Sequence, residues 1–321
     1  MKINYKKILA NLIPILIGLF FIYFSYINTT INERNEIYRN LKNADYIYVI
    51  LSVFIGFISH IIRAFRWKLM LNPLGYSPKT HNSILAVFIG YLSNYALPRL
   101  GDVIRATVLA KYESIPFNKS FGTIVIERAI DLFLLSLLIL VAMILNFELI
   151  HSHLHIEKWN PLLFFIILFF SLILGYKLFS YLKTSKKNSI IKLLKFLEGF
   201  KEGFLIIFKM DKKITYLIQT LLIWSMYLGM FILIKWSIPE TTSLSIEPLI
   251  LAFVIGSLSF FASNGGIGIY PYVISLVLIN YGVSKESSLA FGWIMWTSQS
   301  LMLLILGSLS FFILPLINKN N

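Results

Sequence analysis

Charged residues that could bind an anion are concentrated in one stretch of an otherwise apolar chain. Arg99, Asp102 and Arg105 follow one another at intervals of three. Asp102 and Arg105 are expected to share a face of a helix, and Arg99 and Arg105 lie on either side of its start. Two guanidinium groups there offer paired donors that suit a phosphate. The stretch therefore predicts a site for an anionic group. Asp102, just after Gly101, is expected to cap a short helix that begins there.

Two carboxylates further along the chain could complete this site. Glu127 and Asp131 are four residues apart and Arg128 lies between them, so the carboxylates are expected on one helix face. They would hold the arginines or select a cationic headgroup. A purely structural network of ion pairs is the alternative. Under either interpretation we expect these charges to lie together.

A third group of polar side chains ends an earlier apolar run. His60, Arg63 and Arg66 recur every three residues and are predicted to form a stripe. Arg63 and Arg66 are candidates for the same anion site. For Arg66 and Trp67, anchoring at the membrane interface is the alternative, because such residues are common at the ends of spans.

Other chemistry has little support. The run His151-Ser152-His153-Leu154-His155 could ligate a metal only if it were extended, and a solvated loop is the expectation. Phosphate-binding loops, nucleophile elbows and zinc-protease motifs are absent from the sequence. We therefore expect no metal, no other cofactor and no catalytic site.

Composition indicates that a membrane surrounds these charges. Of 321 residues, 57% are hydrophobic and 14% are charged, whereas a typical soluble domain has about 25% charged residues. Mean hydropathy is +0.76, and the apolar residues form long blocks. The net charge of +14 suits the anionic leaflet of a membrane better than nucleic acid. The predicted class is an all-α polytopic transmembrane bundle, with residues 1–321 as one membrane-embedded domain.

Six apolar runs are long enough to cross a bilayer, which takes about 20 helical residues. They lie near 8–27, 46–65, 122–146, 162–182, 214–236 and 288–314. The segment 183–213 between two of them is rich in lysine, with apolar residues at helical spacing. It is predicted to be either a helix lying in the membrane interface or a connector packed under the bundle.

Two further apolar regions, 81–110 and 248–281, are interrupted by glycine, proline and polar residues. Residues 88–96 and 254–262 share five of nine identities at a constant offset of 166, and each copy runs into a break. Three spans separate them, so they are predicted to form an inverted repeat, although chance similarity is the alternative. Each region either crosses twice or enters and leaves by the same side.

Lysine and arginine counts predict the orientation. With the N-terminus in the cytoplasm, twenty of these residues fall in cytoplasmic segments and five in outer ones. Positive residues favour the inner side, so both termini are expected in the cytoplasm and the protein in the cytoplasmic membrane.

These motifs resemble a known family. The string Asn94-x-x-x-Pro98-Arg99-x-Gly101-Asp102-x-x-Arg105 is similar to its most specific segment. The match extends to Arg63-x-x-Arg66-Trp67, to Glu127-Arg128-x-x-Asp131 and to the glycine-rich break at 265–268. Together they resemble the lysylphosphatidylglycerol synthase transmembrane-region family over roughly residues 10–315. The sequence departs from the family pattern at Asn264 and Tyr270-Pro271, and the last span lacks an expected arginine.

The resemblance implies a flippase-like domain that translocates a lipid. In the namesake proteins a separate soluble domain makes the lipid. No such domain is visible in these 321 residues, so synthase activity is not expected. The expected partners are membrane lipids with a phospholipid or polyprenyl-linked headgroup, and a homo-oligomer or an envelope-biosynthesis partner is left open. The predicted substrate-binding residues are Arg63, Arg66, Asn94, Pro98, Arg99, Gly101, Asp102, Arg105, Glu127, Arg128, Asp131, Asn264, Gly265, Gly266 and Gly268.

Two other functions remain open from the sequence. A membrane-embedded transferase acting on phospholipid or polyprenyl substrates would need an acid–base pair, for which Glu127 and Asp131 are the candidates. A scaffold for an envelope pathway would need no chemistry at all.

Overall fold

The computed structural model describes residues 19–97, 99–148, 210–260 and 263–319. These ranges are helical and contain no β-strand. The predictions for 162–182, for most of 183–213, for the histidine run at 151–155 and for Pro98 fall outside them. The α-helices within the described ranges are α1 (19–27), α2 (Ile31–Lys42), α3 (Tyr46–Leu71), α4 (Thr80–Ala96), α5 (Leu100–Tyr112), α6 (Phe117–Leu145), α7 (Lys213–Leu233), α8 (Ile246–Ser259), α9 (Ile269–Ile279) and α10 (Lys285–Ile317).

Four of these helices, α3, α6, α7 and α10, are long and apolar enough to span a membrane. They correspond to four of the six predicted spans, and α1 is the described part of the run at 8–27. The prediction of an all-α polytopic bundle is confirmed, because each long block of apolar residues can satisfy its backbone groups in lipid only by forming a helix.

The first interrupted region is a helical hairpin. α4 ends at Ala96 and α5 begins at Leu100, so the predicted break is present. The side chain of Asn82 near the start of α4 donates to Glu113 just after α5, with 2.5 Å between Nδ2 and Oε1. Both open ends therefore lie together, and the region enters and leaves by the same end of the bundle. α5 has 13 residues and is only about 20 Å long, too short to cross alone.

The second interrupted region, formed by α8 and α9, is also a hairpin. Gly265, Gly266 and Gly268 break it, with φ angles of 60°, 75° and 70°. These left-handed angles carry no steric cost for glycine. Asn146, which follows α6, donates to the carbonyl of Glu247 at the start of α8 (3.2 Å) and accepts from the hydroxyl of Tyr281 just after α9. The open end of this hairpin is therefore at the end of α6.

Helix α10 shows that the hairpins enter from opposite ends of the bundle. Near its start, an added Cβ at Gly292 would stand 2.6 Å from the backbone of Pro271 in α9. Near its end, an added Cβ at Gly307 would stand 2.6 Å from Leu92 in α4. Each hairpin thus packs along one half of α10. The interpretation that they are copies of one inverted repeat stays a prediction.

Helix α2 lies outside the spans and contacts the start of α10. Thr30 caps it and accepts from the backbone N–H of Glu33, whose carboxylate accepts in return from the N–H of Thr30. Lys285 at the start of α10 forms an ion pair with Glu33 at 2.9 Å. The hydrogen bond from the Thr30 backbone and the contact with Lys285 lower the pKa of Glu33 to about 2.

Candidate functional site

Three arginines and two carboxylates meet where α3, α5 and α6 cross. Arg63 contacts both Glu127 and Asp131, and its Nη1 is 2.8 Å from Asp131 Oδ2. Arg66 Nη2 lies 3.3 Å from Glu127 and 3.1 Å from Asp131. Arg105 Nη2 donates to Glu127 Oε2 at 3.1 Å. All five residues are buried. We call Arg63, Arg66, Arg105, Glu127 and Asp131 the charge cluster.

The spacing in the sequence explains why these groups converge. Glu127 and Asp131 are one helical turn apart on α6, and both reach the same Nη1 of Arg63. Arg63 and Arg66 are one turn apart on α3, so they approach the carboxylates side by side. The expectation that the predicted charges lie together holds for Arg105, Glu127 and Asp131. Asp102 and Arg128 pair with each other instead. Glu127 lies ten residues into α6, which places the cluster about 15 Å from that end of the helix.

Helix α7 supplies three polar side chains to this cluster that the sequence analysis missed. Thr220 accepts from Arg66 Nη1 at 3.2 Å, Trp224 donates to Asp131 at 3.4 Å, and Tyr227 accepts from Arg63 Nε at 3.2 Å. They stand at i, i+4 and i+7. A stripe of hydrogen-bonding residues at that spacing in an apolar span is the signal that could have revealed them.

The interfacial interpretation of Arg66 and Trp67 is wrong. Neither residue has exposed surface. The indole N–H of Trp67 donates to Thr123 at 2.9 Å, and the guanidinium carbon of Arg105 lies 4.3 Å from the centre of the Trp67 ring. Trp67 therefore supports a buried cation, because α3 turns this face towards α5 and α6 and not towards lipid headgroups.

Asp102 does not cap the short helix. α5 begins at Leu100 with Arg99 as its cap residue, and Asp102 instead accepts from Arg128, with the closest pair 2.7 Å apart. The missing cap comes from the other arm of the hairpin, because Asn94 Oδ1 accepts from the backbone N–H of Gly101 at 2.8 Å. An added Cβ at Gly101 would also collide with the carbonyl oxygen of Gly90. Gly101 is thus needed for close packing.

Arg99 is separate from the charge cluster. It is exposed at the tip of the first hairpin and has a φ of 63°, and its side chain makes no hydrogen bond or ion pair with the residues that the structure describes. Four residues before it, the hydroxyl of Tyr95 donates to Ser300 at 2.9 Å. Ser300 is near the middle of the 33-residue α10. The tip therefore lies at the middle depth of the bundle.

The tips of the two hairpins touch each other there. An added Cβ at Gly265 would stand 2.6 Å from the ring of Tyr95, and the indole N–H of Trp296 donates to the carbonyl of Gly265 at 2.7 Å. The break at 264–266 thus packs against the end of α4. Of the other predicted site residues, Pro98 and the side chain of Asn264 lie outside the described parts of the chain.

The charged residues of this region fall into a buried group and a solvent-accessible group. The charge cluster is buried, so its members face one another and not an open polar cavity. The Asp102–Arg128 pair is partly accessible, with 17% and 39% of the side chains exposed, and Arg99 is exposed. Within the described ranges no three His, Asp or Glu side chains come together as a metal site.

Comparisons with known proteins agree with the membrane character. The family described as the lysylphosphatidylglycerol synthase TM region matches residues 11–307. A UPF0104 membrane protein of Methanocaldococcus jannaschii is 35% identical over 100 residues, 30% of each chain. A UPF0104 membrane protein of Methanothermobacter thermautotrophicus is 26% identical over 120 residues, 36% of each chain.

A third relative carries an enzyme's name. The glycosyltransferase AglD of Haloferax volcanii is 32% identical over 101 residues, which cover 31% of this chain and 16% of that protein. The matches span about a third or less of each of these relatives. No solved structure matches the chain.

Proposed function

The chain belongs to the lysylphosphatidylglycerol synthase TM region family, and from that premise we propose that it is a multi-pass flippase for a lipid with an anionic headgroup. The observation that carries this proposal is Arg99. An exposed guanidinium at the middle depth of a bundle, with no partner among the described residues, is costly in hydrocarbon. Insertion scales give a cost of about 2.5–3.5 kcal/mol for a charge at the membrane centre. Such a charge is expected to serve a substrate.

The net charge of the buried charge cluster also supports this function. Among the described residues it combines three guanidinium groups with two carboxylates, so it adds a positive field to the region below the hairpin tip. Asp102 holds Arg128 at the accessible edge of this region. A phosphate-bearing headgroup would meet Arg99 first and Arg128 next, and its acyl chains would stay in the bilayer.

Movement of the hairpins would give the headgroup access from both sides. The two tips meet at Tyr95 and Gly265, so the structure is closed at its middle. Rigid hairpins held by α10 can rock about this contact, as in transporters built from paired broken helices. We place the end with Asn82 and Glu113 on the cytoplasmic side, following the distribution of lysine and arginine.

The transferase alternative has weaker support. The Haloferax relative is named a glycosyltransferase, but the match covers 16% of it. Glu127, one of the two carboxylates proposed as an acid–base pair, has no exposed surface, and three arginines hold it. A general acid or base must reach its substrate within about 3 Å. The geometry therefore favours translocation over group transfer.

Reconstituted protein tests this proposal. We expect liposomes containing it to flip phosphatidylglycerol that carries a fluorophore on an acyl chain. Arg99→Gly should lower the rate by about 10–100-fold, because it removes a charge-assisted contact worth about 1.5–3 kcal/mol. Glycine relieves the left-handed backbone at this position, so folding should survive. Arg39→Ala removes an exposed arginine of α2 and is the matched control.

Two results would reject translocation, and a third would reject the role given to Arg99. Flipping that is unchanged in Arg99→Gly would leave a flippase but remove Arg99 from its mechanism. Formation of a covalent lipid product without translocation would favour the transferase. Folded protein that shows neither activity would favour the scaffold.

A further inference from the structure

Three charged side chains beside the tip of the first hairpin are accessible. Arg99 is exposed, and 17% of the Asp102 side chain and 39% of the Arg128 side chain are exposed. We call Arg99, Asp102 and Arg128 the accessible group. Arg99 and Asp102 are three residues apart at the start of α5, about 5 Å along the helix axis, and Arg128 reaches Asp102 from α6. The accessible group therefore has two positive charges and one negative charge.

Asp102 occupies one edge of the Arg128 guanidinium. Arg128 Nε donates to Asp102 Oδ1 at 3.2 Å and to Oδ2 at 3.1 Å, and Arg128 Nη2 donates to Oδ1 at 2.7 Å. Arg128 Nη1 makes no hydrogen bond with the residues that the structure describes. The edge that remains, formed by Nη1 and the second N–H of Nη2, presents the pair of parallel donors that binds a phosphate.

The packing of α5 on α6 holds Asp102 in this position. One turn further along α5, Arg105 Nη2 donates to Glu127 Oε2 at 3.1 Å, and both residues are buried. An added Cβ at Gly101 would collide with the carbonyl oxygen of Gly90 in α4. Asp102 therefore stays where it is while α5 stays packed, and it acts as a positioning residue for Arg128.

Stability alone does not account for the pair of Asp102 with Arg128. An accessible ion pair contributes little to stability, and this one lies about 16 Å from the start of α6, where charges are costly in a membrane. Glu127 contacts three arginines, whereas Asp102 pairs with Arg128 alone among the described residues. The main effect of Asp102 is thus on charge, because it lowers the net charge of the accessible group from two positive units to one.

We propose that Asp102 selects a headgroup whose phosphate has one negative charge. The preferred substrate class is then a lipid phosphodiester, and a lipid phosphomonoester with two charges is disfavoured. This inference rests on the proposed function. An unmatched charge is costly where the dielectric constant is low. The arginines of the charge cluster are buried and bonded to carboxylates, so a second charge on the phosphate would meet no further guanidinium.

Two lipids that differ by one methyl group test this assignment. Phosphatidylmethanol is a phosphodiester with one negative charge, and phosphatidic acid is the corresponding monoester. The second pKa of a phosphomonoester is about 6, so phosphatidic acid carries close to two charges at about pH 9. Both lipids carry a fluorophore on an acyl chain, in liposomes that contain the full chain. We expect the wild type to flip phosphatidylmethanol faster than phosphatidic acid.

Neutral variants of Asp102 should reverse this preference. Asp102→Asn should raise the ratio of the phosphatidic acid rate to the phosphatidylmethanol rate about tenfold, because it removes a negative charge close to the phosphate. Asp102→Ser is a second neutral variant, so the test does not depend on the folding of one protein. Asp102→Glu keeps the charge and should keep the ratio of the wild type.

The matched control is Glu36→Gln, which removes a carboxylate from the exposed ion pair with Arg39 on α2. It should leave the ratio unchanged. Neutral variants of Asp102 that change both rates by the same factor would show a purely structural ion pair and would overturn the proposal. A wild type that prefers phosphatidic acid would also overturn it.

Equilibrium binding separates this inference from the proposed function. The same two lipids are titrated into the purified full chain in a mild detergent. Flipping by the wild type with an unchanged ratio in Asp102→Asn would overturn the role of Asp102 and leave the flippase. A shift of binding preference in Asp102→Asn, in a protein that flips neither lipid, would overturn the flippase and leave a phosphate-binding site. Binding of neither lipid, without flipping, would overturn both.

Discussion

Arg63 joins side chains of two neighbouring helices in the buried charge cluster. It binds Glu127 and Asp131 through one nitrogen and Tyr227 through another. Each contact comes from a different position on α6 or α7, so one planar guanidinium fixes the distance between two spans. A lysine could not do this, because a single ammonium lacks the fork of donors. In hydrocarbon such a group is stable only while every partner is present.

Removing one partner of the buried arginines should therefore lower the stability of the protein strongly. We expect Glu127→Ala to lower the free energy of unfolding by about 3–5 kcal/mol, because Arg105 would lose its carboxylate partner and Arg63 and Arg66 would keep only Asp131. Thermal unfolding in a mild detergent would measure this. Glu36→Ala is the control, since Glu36 pairs with Arg39 on the surface and should change stability by less than about 1 kcal/mol. Equal losses in the two variants would contradict the buried network.

At the scale of elements, each of the two hairpins lies in its own apolar core. One core surrounds α8 and α9 and includes residues of α7 and α10. The other surrounds α4 and α5 and includes residues of α3 and α6. The hairpin tips meet between them, where Tyr95 packs on Gly265. Each hairpin can therefore move as a unit with its own core, and the tip contact is the place where the units are joined.

A pair of glycine variants isolates this contact. Gly265 and Gly75 both have positive φ, 60° and 85°, but only Gly265 has a neighbour within 4 Å of an added Cβ. Gly75→Ala should cost about 1–2 kcal/mol of backbone strain. Gly265→Ala should cost about 1–3 kcal/mol more, because the methyl group would collide with Tyr95. Thermal unfolding of both variants measures the difference between their losses in free energy of unfolding. Equal losses would show that the hairpin tips do not meet.

At the scale of the whole molecule, α10 determines how the parts are arranged. It passes the second hairpin near Gly292, the tip contact near Trp296 and Ser300, and the first hairpin near Gly307. A helix of 33 residues is about 50 Å long, more than the roughly 30 Å of hydrocarbon in a bilayer. It therefore spans the membrane and still extends to both loop layers.

The orientation of the molecule can be tested because the chain has no cysteine. Asn118→Cys and Ser243→Cys would place single thiols at exposed positions near opposite ends of the bundle. If the lysine-rich end is cytoplasmic, an impermeant maleimide should label Ser243→Cys in intact cells and Asn118→Cys only after permeabilisation. The reverse pattern would show that the bundle is inverted.

Local rules were sufficient to predict many features. The positions of α3, α6, α7 and α10 follow from apolar runs, because lipid leaves a backbone no other way to satisfy its polar groups. The break at 265–268 follows from glycines whose φ angles other residues avoid. The meeting of Glu127 with Asp131 on one face follows from a spacing of four. Each of these properties belongs to one segment.

Properties that involve two segments were decided only by the tertiary structure. Spacing put Arg66 and Trp67 on a common face with Arg63, but only the packing of α3 shows that this face is covered and not at the interface. Asp102 could have capped α5, yet Arg128 from α6 binds it and Asn94 from α4 supplies the cap. The periodicity of a helix determines which residues share a face. Which neighbour covers that face depends on the simultaneous packing of all the helices, and one segment of sequence does not contain that information.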